Sequence, residues 1–138
     1  MLSQTAEYAL RAVLYVAEHG TGRPVRVAEM ADALRIPRNY LSKILHQLAR
    51  HGVLVSLRGK AGGFQLCVQP DRLALGVVVA VFDGIGTERR CLLGRSKCTD
   101  GTACAAHARW KEAADAVADF FRDTTVADLL ASGAIARN

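Results

Sequence analysis

Residues 27–66 read VAEMADALRIPRNYLSKILHQLARHGVLVSLRGKAGGFQL, and this stretch decides the fold. Its apolar residues first recur at the spacing of two amphipathic helices, over 27–34 and over 37 to about 50. They then alternate with polar residues over 53–57 and 64–69, on either side of a glycine-rich turn. Two short helices followed by a β-hairpin predict a winged helix-turn-helix, the hairpin being the wing.

The second helix and the hairpin tip carry side chains suited to DNA. Arg, Lys, Asn, Gln and Ser bond to base edges in the major groove, and Tyr40 could pack inward while offering its hydroxyl to a phosphate. Arginine is favoured in a narrowed minor groove, so Arg58 is the residue that we expect to enter it. The predicted DNA contacts are Arg38, Asn39, Tyr40, Ser42, Lys43, Gln47, Arg58 and Lys60.

Positive charge is concentrated in the same half of the chain, whose formal net charge as a whole is +5. Residues 1–66 carry nine Lys or Arg and four Asp or Glu, whereas residues 67–138 carry nine of each. A basic half beside a neutral half favours polyanion binding by the basic one. Charge alone leaves two alternatives open: a solvated basic surface, and a winged helix used only for protein–protein contact.

Further helices are predicted on both sides of this stretch. Apolar periodicity indicates helices over 4–18, 74–83 and about 105–123. The sequence TVAD from Thr125 resembles a capping box that opens a last short helix ending at Leu130.

The predicted fold class is therefore mainly α with a small β-hairpin wing (α+β), a winged helix-turn-helix with a long C-terminal helix. We expect three regions: residues 1–83 as the DNA-binding region, residues 84–104 as a loop carrying three cysteines, and residues 105–138 as the long helix and the last short helix.

Several classes of protein are disfavoured. The sequence contains no apolar run of membrane-spanning length, and its first residues lack the basic start and apolar core of a secretory signal. We therefore expect a cytoplasmic protein with no membrane partner. The sequence has no nucleophile elbow, phosphate-binding loop or dinucleotide motif, so we expect no enzymatic activity.

Cys91, Cys98 and Cys104 lie close together within residues 84–104, which we call the cysteine segment. Cytoplasmic thiols are normally reduced, so metal ligands or redox groups are favoured over disulfides. Three thiolates suit an iron–sulfur cluster, and the arginine and lysine residues nearby would lower the pKa of the thiols. His107 follows Cys104 by three residues, which makes a structural Cys3His zinc site the strong competitor. A thiol-based redox switch is the remaining alternative.

Residues 27–34 and 37–50, the stretch RGKAGGF over 58–64 and the stretch TVADLL over 125–130 together resemble the Rrf2 family of bacterial regulators. The resemblance covers nearly the whole chain. Its most specific parts are the wing sequence and the three cysteines before the long helix. IscR-like, NsrR-like and RirA-like proteins are members of this family.

The resemblance implies a homodimer whose long helix packs against its twin and whose wings bind a palindromic operator. It also implies that Cys91, Cys98 and Cys104 hold a [2Fe-2S] or [4Fe-4S] cluster. In IscR-like members a histidine three residues after the last cysteine is the fourth ligand, and His107 matches it. In some NsrR-like members a carboxylate of the partner's first helix serves instead, and Glu7 matches that position.

The function implied is that of a transcriptional regulator, expected to be a repressor, whose operator affinity is controlled by an iron–sulfur cluster. The signal would be nitric oxide, redox state, or the supply of iron or cluster. The gap between the first two cysteines is one residue longer than in IscR-like members, so the cluster type stays open.

Overall fold

The computed structural model of the chain describes residues 2–84, 93 and 105–132. Within those ranges the elements are α1 (Gln4–His19), α2 (Val27–Leu34), α3 (Arg38–Arg50), β1 (Leu54–Leu57), β2 (Gly63–Leu66), a 3-10 turn (Pro70–Arg72), α4 (Leu75–Val79), α5 (His107–Asp123) and α6 (Val126–Ala131). The predicted fold class is confirmed: the described chain is mostly helical, with one antiparallel two-stranded hairpin.

The helix-turn-helix is formed by α2 and α3, and its turn depends on backbone conformation. Arg35 ends α2 in the left-handed conformation, with φ 56° and ψ 46°, which turns the chain so that Ile36 is buried. Pro37 lies one position before α3 rather than in its first turn, and its carbonyl accepts the N–H of Leu41 at 2.9 Å. Gly52 follows α3 with φ 76°, the conformation expected just past a helix C-terminus.

The wing is shorter than its alternating pattern predicts. β2 ends at Leu66, because the N–H of Cys67 donates to the carbonyl of Val53, a residue outside β1 (3.0 Å). The other edge of the wing is tied to the segment before α2. Val25 and Phe64 exchange two backbone hydrogen bonds of 2.9 and 2.8 Å. The wing is therefore held at a defined distance from the helix-turn-helix.

The core is aliphatic and is centred on α1. Three alanines of α1 are fully buried, so neighbouring elements approach its backbone closely. Around α1 pack α2, α3, α4, α6 and β2. The largest fully buried side chains are Met30, Leu41, Leu45, Leu48, Leu54, Leu73, Val13, Val16, Val25, Val53, Val78 and Val79.

The helix predicted over 74–83 is regular only over α4. After Val79 the chain tightens: the N–H of Phe82 donates to the carbonyl of Val79 at 3.0 Å, a bond between residues three apart. The N–H of Asp83 also donates to the Val79 carbonyl, at 2.8 Å. Asp83 therefore leaves the helix in a fixed position, directly before the cysteine segment.

The last helices join the same core. Thr125 and Asp128 form the predicted capping box at the start of α6. The backbone on either side pairs with the chain before α4, through bonds of 2.9 Å from Leu75 N to Thr124 O and from Val126 N to Leu73 O. Phe121 and Val126 are buried in the core. The division of the chain at residues 83 and 104 stays a prediction.

Among the helices that the structure describes, none combines the length and apolarity needed to cross a membrane.

Candidate nucleic-acid interface

The outer face of α3 is polar and accessible, while its inner face is closed. Leu41, Ile44, Leu45 and Leu48 are buried on the inner side. Because these four fix the rotation of the helix, the predicted base-contacting residues lie on the opposite side. Arg38, Asn39, Lys43 and Gln47 are exposed, and Ser42 is half-buried.

The wing tip is exposed at Arg58 and Lys60, and the structure gives its glycines a reason of their own. A Cβ on Gly62 would lie 2.4 Å from the Leu57 carbonyl oxygen. A Cβ on Gly63 would lie 2.4 Å from the Val25 carbonyl oxygen. These two glycines are thus required by the close approach of the protein's own backbone. An approach of the tip to DNA stays a prediction.

Tyr40 packs inward as expected, but its hydroxyl has a protein partner. The ring meets that of Tyr8 edge-on, with centroids 5.7 Å apart. The hydroxyl forms a short hydrogen bond with the hydroxyl of Thr5 in the first turn of α1. The start of α3 is therefore anchored to the start of α1. The predicted phosphate contact of Tyr40 stays a prediction.

Two further contacts set the position of the helix-turn-helix. Arg11 of α1 donates from Nη2 to the carbonyl of Leu34 at 2.7 Å. This satisfies a carbonyl at the C-terminus of α2, where a positive charge also suits the helix dipole. At the other end, His46 of α3 meets the ring of Phe64 edge-on at 5.5 Å and so joins α3 to the wing.

A charged cluster links α1, the following loop and α2. Both guanidinium Nη atoms of Arg23 donate to the carboxylate of Glu29, at 3.0 and 3.2 Å. The hydroxyl of Tyr15 donates to the same carboxylate at 2.9 Å. The hydrogen bond from Arg23 holds the pKa of Glu29 below its ordinary value, and burial raises the pKa of Tyr15, with Glu29 adding to that effect.

The predicted cysteine ligands lie outside the described residues, and of the candidate fourth ligands both are described. His107 is the first residue of α5 and is only 8% exposed, the one buried polar side chain in the described part of the chain. Glu7 lies on the exposed side of α1. The described ranges contain no cluster of three side chains that could bind a metal by themselves.

Sequence reasoning missed the residues that position α1. Ser3 caps α1 by accepting the N–H of Ala6 at 3.1 Å. Its own N–H and hydroxyl donate to the carboxylate of Asp83, at 2.8 and 2.6 Å. A serine directly before a periodic apolar segment is a helix-start signal and could have identified the cap. No sequence pattern connects Ser3 with Asp83.

Comparisons with known proteins agree with this geometry. The family Rrf2, described as an iron-dependent transcriptional regulator, matches residues 2–132. A protein of Aquifex aeolicus, grouped with the HTH-type transcriptional regulators, is 36% identical over 132 residues, which cover 94% of this chain and 91% of that protein. The HTH-type transcriptional regulator IscR of Vibrio atlanticus is 31% identical over 129 residues, which cover 94% of this chain and 74% of that protein.

Among solved structures, CymR, the global cysteine regulator of B. subtilis, superposes with a TM-score of 0.81. The two are 23% identical, and the match covers 96% of this chain and 97% of CymR. At that identity the likeness supports the fold alone, and it supports the winged helix described above. The family match, the IscR relative and the basic helix-turn-helix with its wing lead to one conclusion: the chain belongs to the Rrf2 family and is a DNA-binding transcriptional regulator, not an enzyme.

Proposed function

We propose that this regulator binds a palindromic operator as a homodimer, and that an iron–sulfur cluster held by Cys91, Cys98 and Cys104 controls its operator affinity. The fourth ligand is His107 or Glu7 of the partner subunit. The protein acts as a repressor, and the signal is nitric oxide, redox state, or the supply of iron or cluster. DNA contacts come from the exposed face of α3 and from Arg58 and Lys60 of the wing.

One observation supports the cluster more than any other. His107 is buried although it is polar, and it stands at the start of α5, directly after the cysteine segment. A neutral imidazole is a good metal ligand, and thiolates suit iron–sulfur clusters. The donor set of three thiols and one imidazole therefore fits such a cluster, and the family description as iron-dependent agrees with it.

The cluster would add a compact group of metal and sulfide to the segment that joins α4 to α5. The rest of the response belongs to the protein. The two α3 helices of a dimer must meet operator half-sites about 34–36 Å apart. A small change in how the two subunits are oriented therefore alters affinity without altering any single DNA contact. Coupling of this kind is typically about 1–3 kcal/mol.

The dimer is supported by α5. Its inward stripe is covered by its own chain at Phe121, which is buried. A second stripe, formed by Ala113, Ala116 and Phe120, is exposed, and Phe120 is 51% exposed. Small residues beside an aromatic one allow two helices to approach closely. A second copy of α5 is the occupant that we propose for this stripe.

The test starts from protein purified without air. We expect it to be coloured and to contain iron and sulfide, and we expect Cys98→Ala to lose both. The binding probe is a duplex enriched from a random pool by the loaded protein. Loaded and stripped wild-type protein should differ in Kd by roughly 5–150-fold, and Cys98→Ala should bind like the stripped form.

Cys67→Ala is the matched control, because Cys67 is exposed at the end of the wing and outside the cysteine segment. It should keep the colour and the wild-type change in Kd. Colourless protein with one zinc per chain would contradict the cluster and favour the Cys3His zinc site. Comparing the cluster spectra of His107→Ala and Glu7→Gln identifies the fourth ligand.

A further inference from the structure

The N-terminus of α1 is held by a residue of a distant part of the chain. The two oxygens of Asp83 accept the Ser3 N–H at 2.8 Å and the Ser3 hydroxyl at 2.6 Å. The Ser3 hydroxyl oxygen in turn accepts the N–H of Ala6. One carboxylate thus orients the side chain that caps α1. Asp83 is also the residue directly before the cysteine segment.

The first turn of α1 in turn holds the recognition helix. Thr5, two residues after Ser3, bonds through its hydroxyl to that of Tyr40 in the first turn of α3. Tyr8, one turn further along α1, packs against the Tyr40 ring, and its own hydroxyl accepts a hydrogen bond from the Gln4 side chain at 3.0 Å. Hydrogen bonds and packed rings therefore connect Asp83 to the start of α3.

The intervening structure is stiff enough to transmit a displacement. Helix α1 is buried along one side by Ala6, Ala9, Ala12 and Val13, each with no exposed surface. Closely packed helices move as rigid bodies rather than deform. A shift of Asp83 would therefore move α1 and, through Thr5 and Tyr40, the end of α3 that bears Arg38 and Asn39.

We propose that Asp83 is a positioning residue for regulation: through the contacts Asp83–Ser3 and Thr5–Tyr40 it transmits the state of the cysteine segment to the recognition helix. This inference rests on the proposed control of DNA binding by a group on that segment. It adds a route within one subunit, alongside any change in the orientation of the two subunits.

The experiment compares wild-type protein with Asp83→Asn, Thr5→Val and the double variant, each loaded and stripped of its cluster, on the selected duplex. Iron and sulfide are measured for each. Asp83→Asn weakens acceptance from Ser3, and Thr5→Val removes one hydroxyl while keeping the side-chain shape. Asp71→Asn is the matched control: Asp71 is exposed in the 3-10 turn and undergoes the same change of charge.

For the wild type and Asp71→Asn, loading should change Kd by roughly 5–150-fold, whereas for Asp83→Asn and Thr5→Val the change should fall below about threefold. The double variant should lose no more than either single variant, because the two act in one chain of contacts. Hydrogen exchange gives a readout without DNA. Loading should alter exchange of the amides at the start of α3 in the wild type and not in either variant.

A wild-type change in Kd and in exchange that persists in both variants would overturn the role of Asp83 and leave the cluster control intact. Equal Kd for loaded and stripped wild-type protein would overturn both proposals. If Asp83→Asn fails to fold or to take up iron, Thr5→Val alone decides the outcome, because Thr5 lies at the far end of the contacts from the cysteine segment.

Discussion

Helices α3 and α5 differ in how far the single chain completes them. α3 has 13 residues, of which four apolar side chains are buried against the rest of the chain and the outer face is polar. α5 is longer, with 17 residues, yet only His107 and Phe121 are buried. A helix of this length gains most of its stability from packing. α3 is thus a finished part of one subunit, whereas α5 leaves an apolar stripe for a second surface.

The largest effect should come from removing core volume under α3. Leu45→Ala should lower the free energy of unfolding by about 2–5 kcal/mol, because a fully buried leucine leaves a cavity. Val117→Ala in α5 should cost about 1 kcal/mol, because Val117 is only half-buried. Urea unfolding at low protein concentration measures both. Equal losses would show that α5 is as fully packed in one subunit as α3.

A charge on the open stripe of α5 should weaken the proposed dimer. Phe120→Asp places a carboxylate in the apolar stripe, and we expect the dimer dissociation constant to rise at least about tenfold, or about 1.4 kcal/mol. Sedimentation velocity over a concentration series measures this. Glu112→Gln, a change at an exposed position of the same helix, should leave assembly unaltered. A dimer that tolerates Phe120→Asp must use another surface.

Loss of single charges at the DNA interface should have a moderate effect. Lys43→Ala and Arg58→Ala should each raise Kd for the selected duplex by up to about tenfold, and loss of a phosphate contact should reduce the slope of log K against log salt by roughly 1. Arg72→Ala is the control, since Arg72 is exposed in the neutral half of the chain. Affinity that falls equally for all three variants would indicate a general charge effect.

The smallest effect concerns the cluster between α1 and α2. The pKa of Glu29 is lowered mainly by its hydrogen bond with Arg23. The ionised form therefore stabilises the fold above the ordinary pKa of a glutamate, and this contribution is lost as the pH falls through the lowered value. Glu29→Gln should reduce Tm slightly at neutral pH, and the difference from the wild type should shrink in acid. A difference that stays constant down to strongly acidic pH would contradict this assignment.

Local patterns were sufficient where neighbouring residues decide the structure. The bounds of α2 and the capping box at Thr125 and Asp128 are as predicted, because periodicity and capping act within a few residues. The wing strand and α4 are shorter than predicted, because distant backbone groups end them. For β2 that group is the carbonyl of Val53, which pairs with Cys67.

The contacts that position α3 gave no signal in the sequence. Ser3 and Asp83 are 80 residues apart, and Thr5 and Tyr40 are 35 apart. Pairings over such separations carry no period and no fixed spacing. They arise only when α1 packs between α3 and α4. Tyr40 illustrates this: its inward orientation was predictable from its type, whereas its hydroxyl partner was not.

The sequence by itself determined the helix-turn-helix, the wing, the basic half and the family, because these follow from local periodicity, turn residues and composition. Only the tertiary structure decided that Asp83 holds the start of α1, that Thr5 holds Tyr40, and that His107 is buried while Phe120 is exposed. The physical reason is that burial and long-range hydrogen bonding depend on which surfaces meet in space, and the order of residues along the chain does not specify that directly.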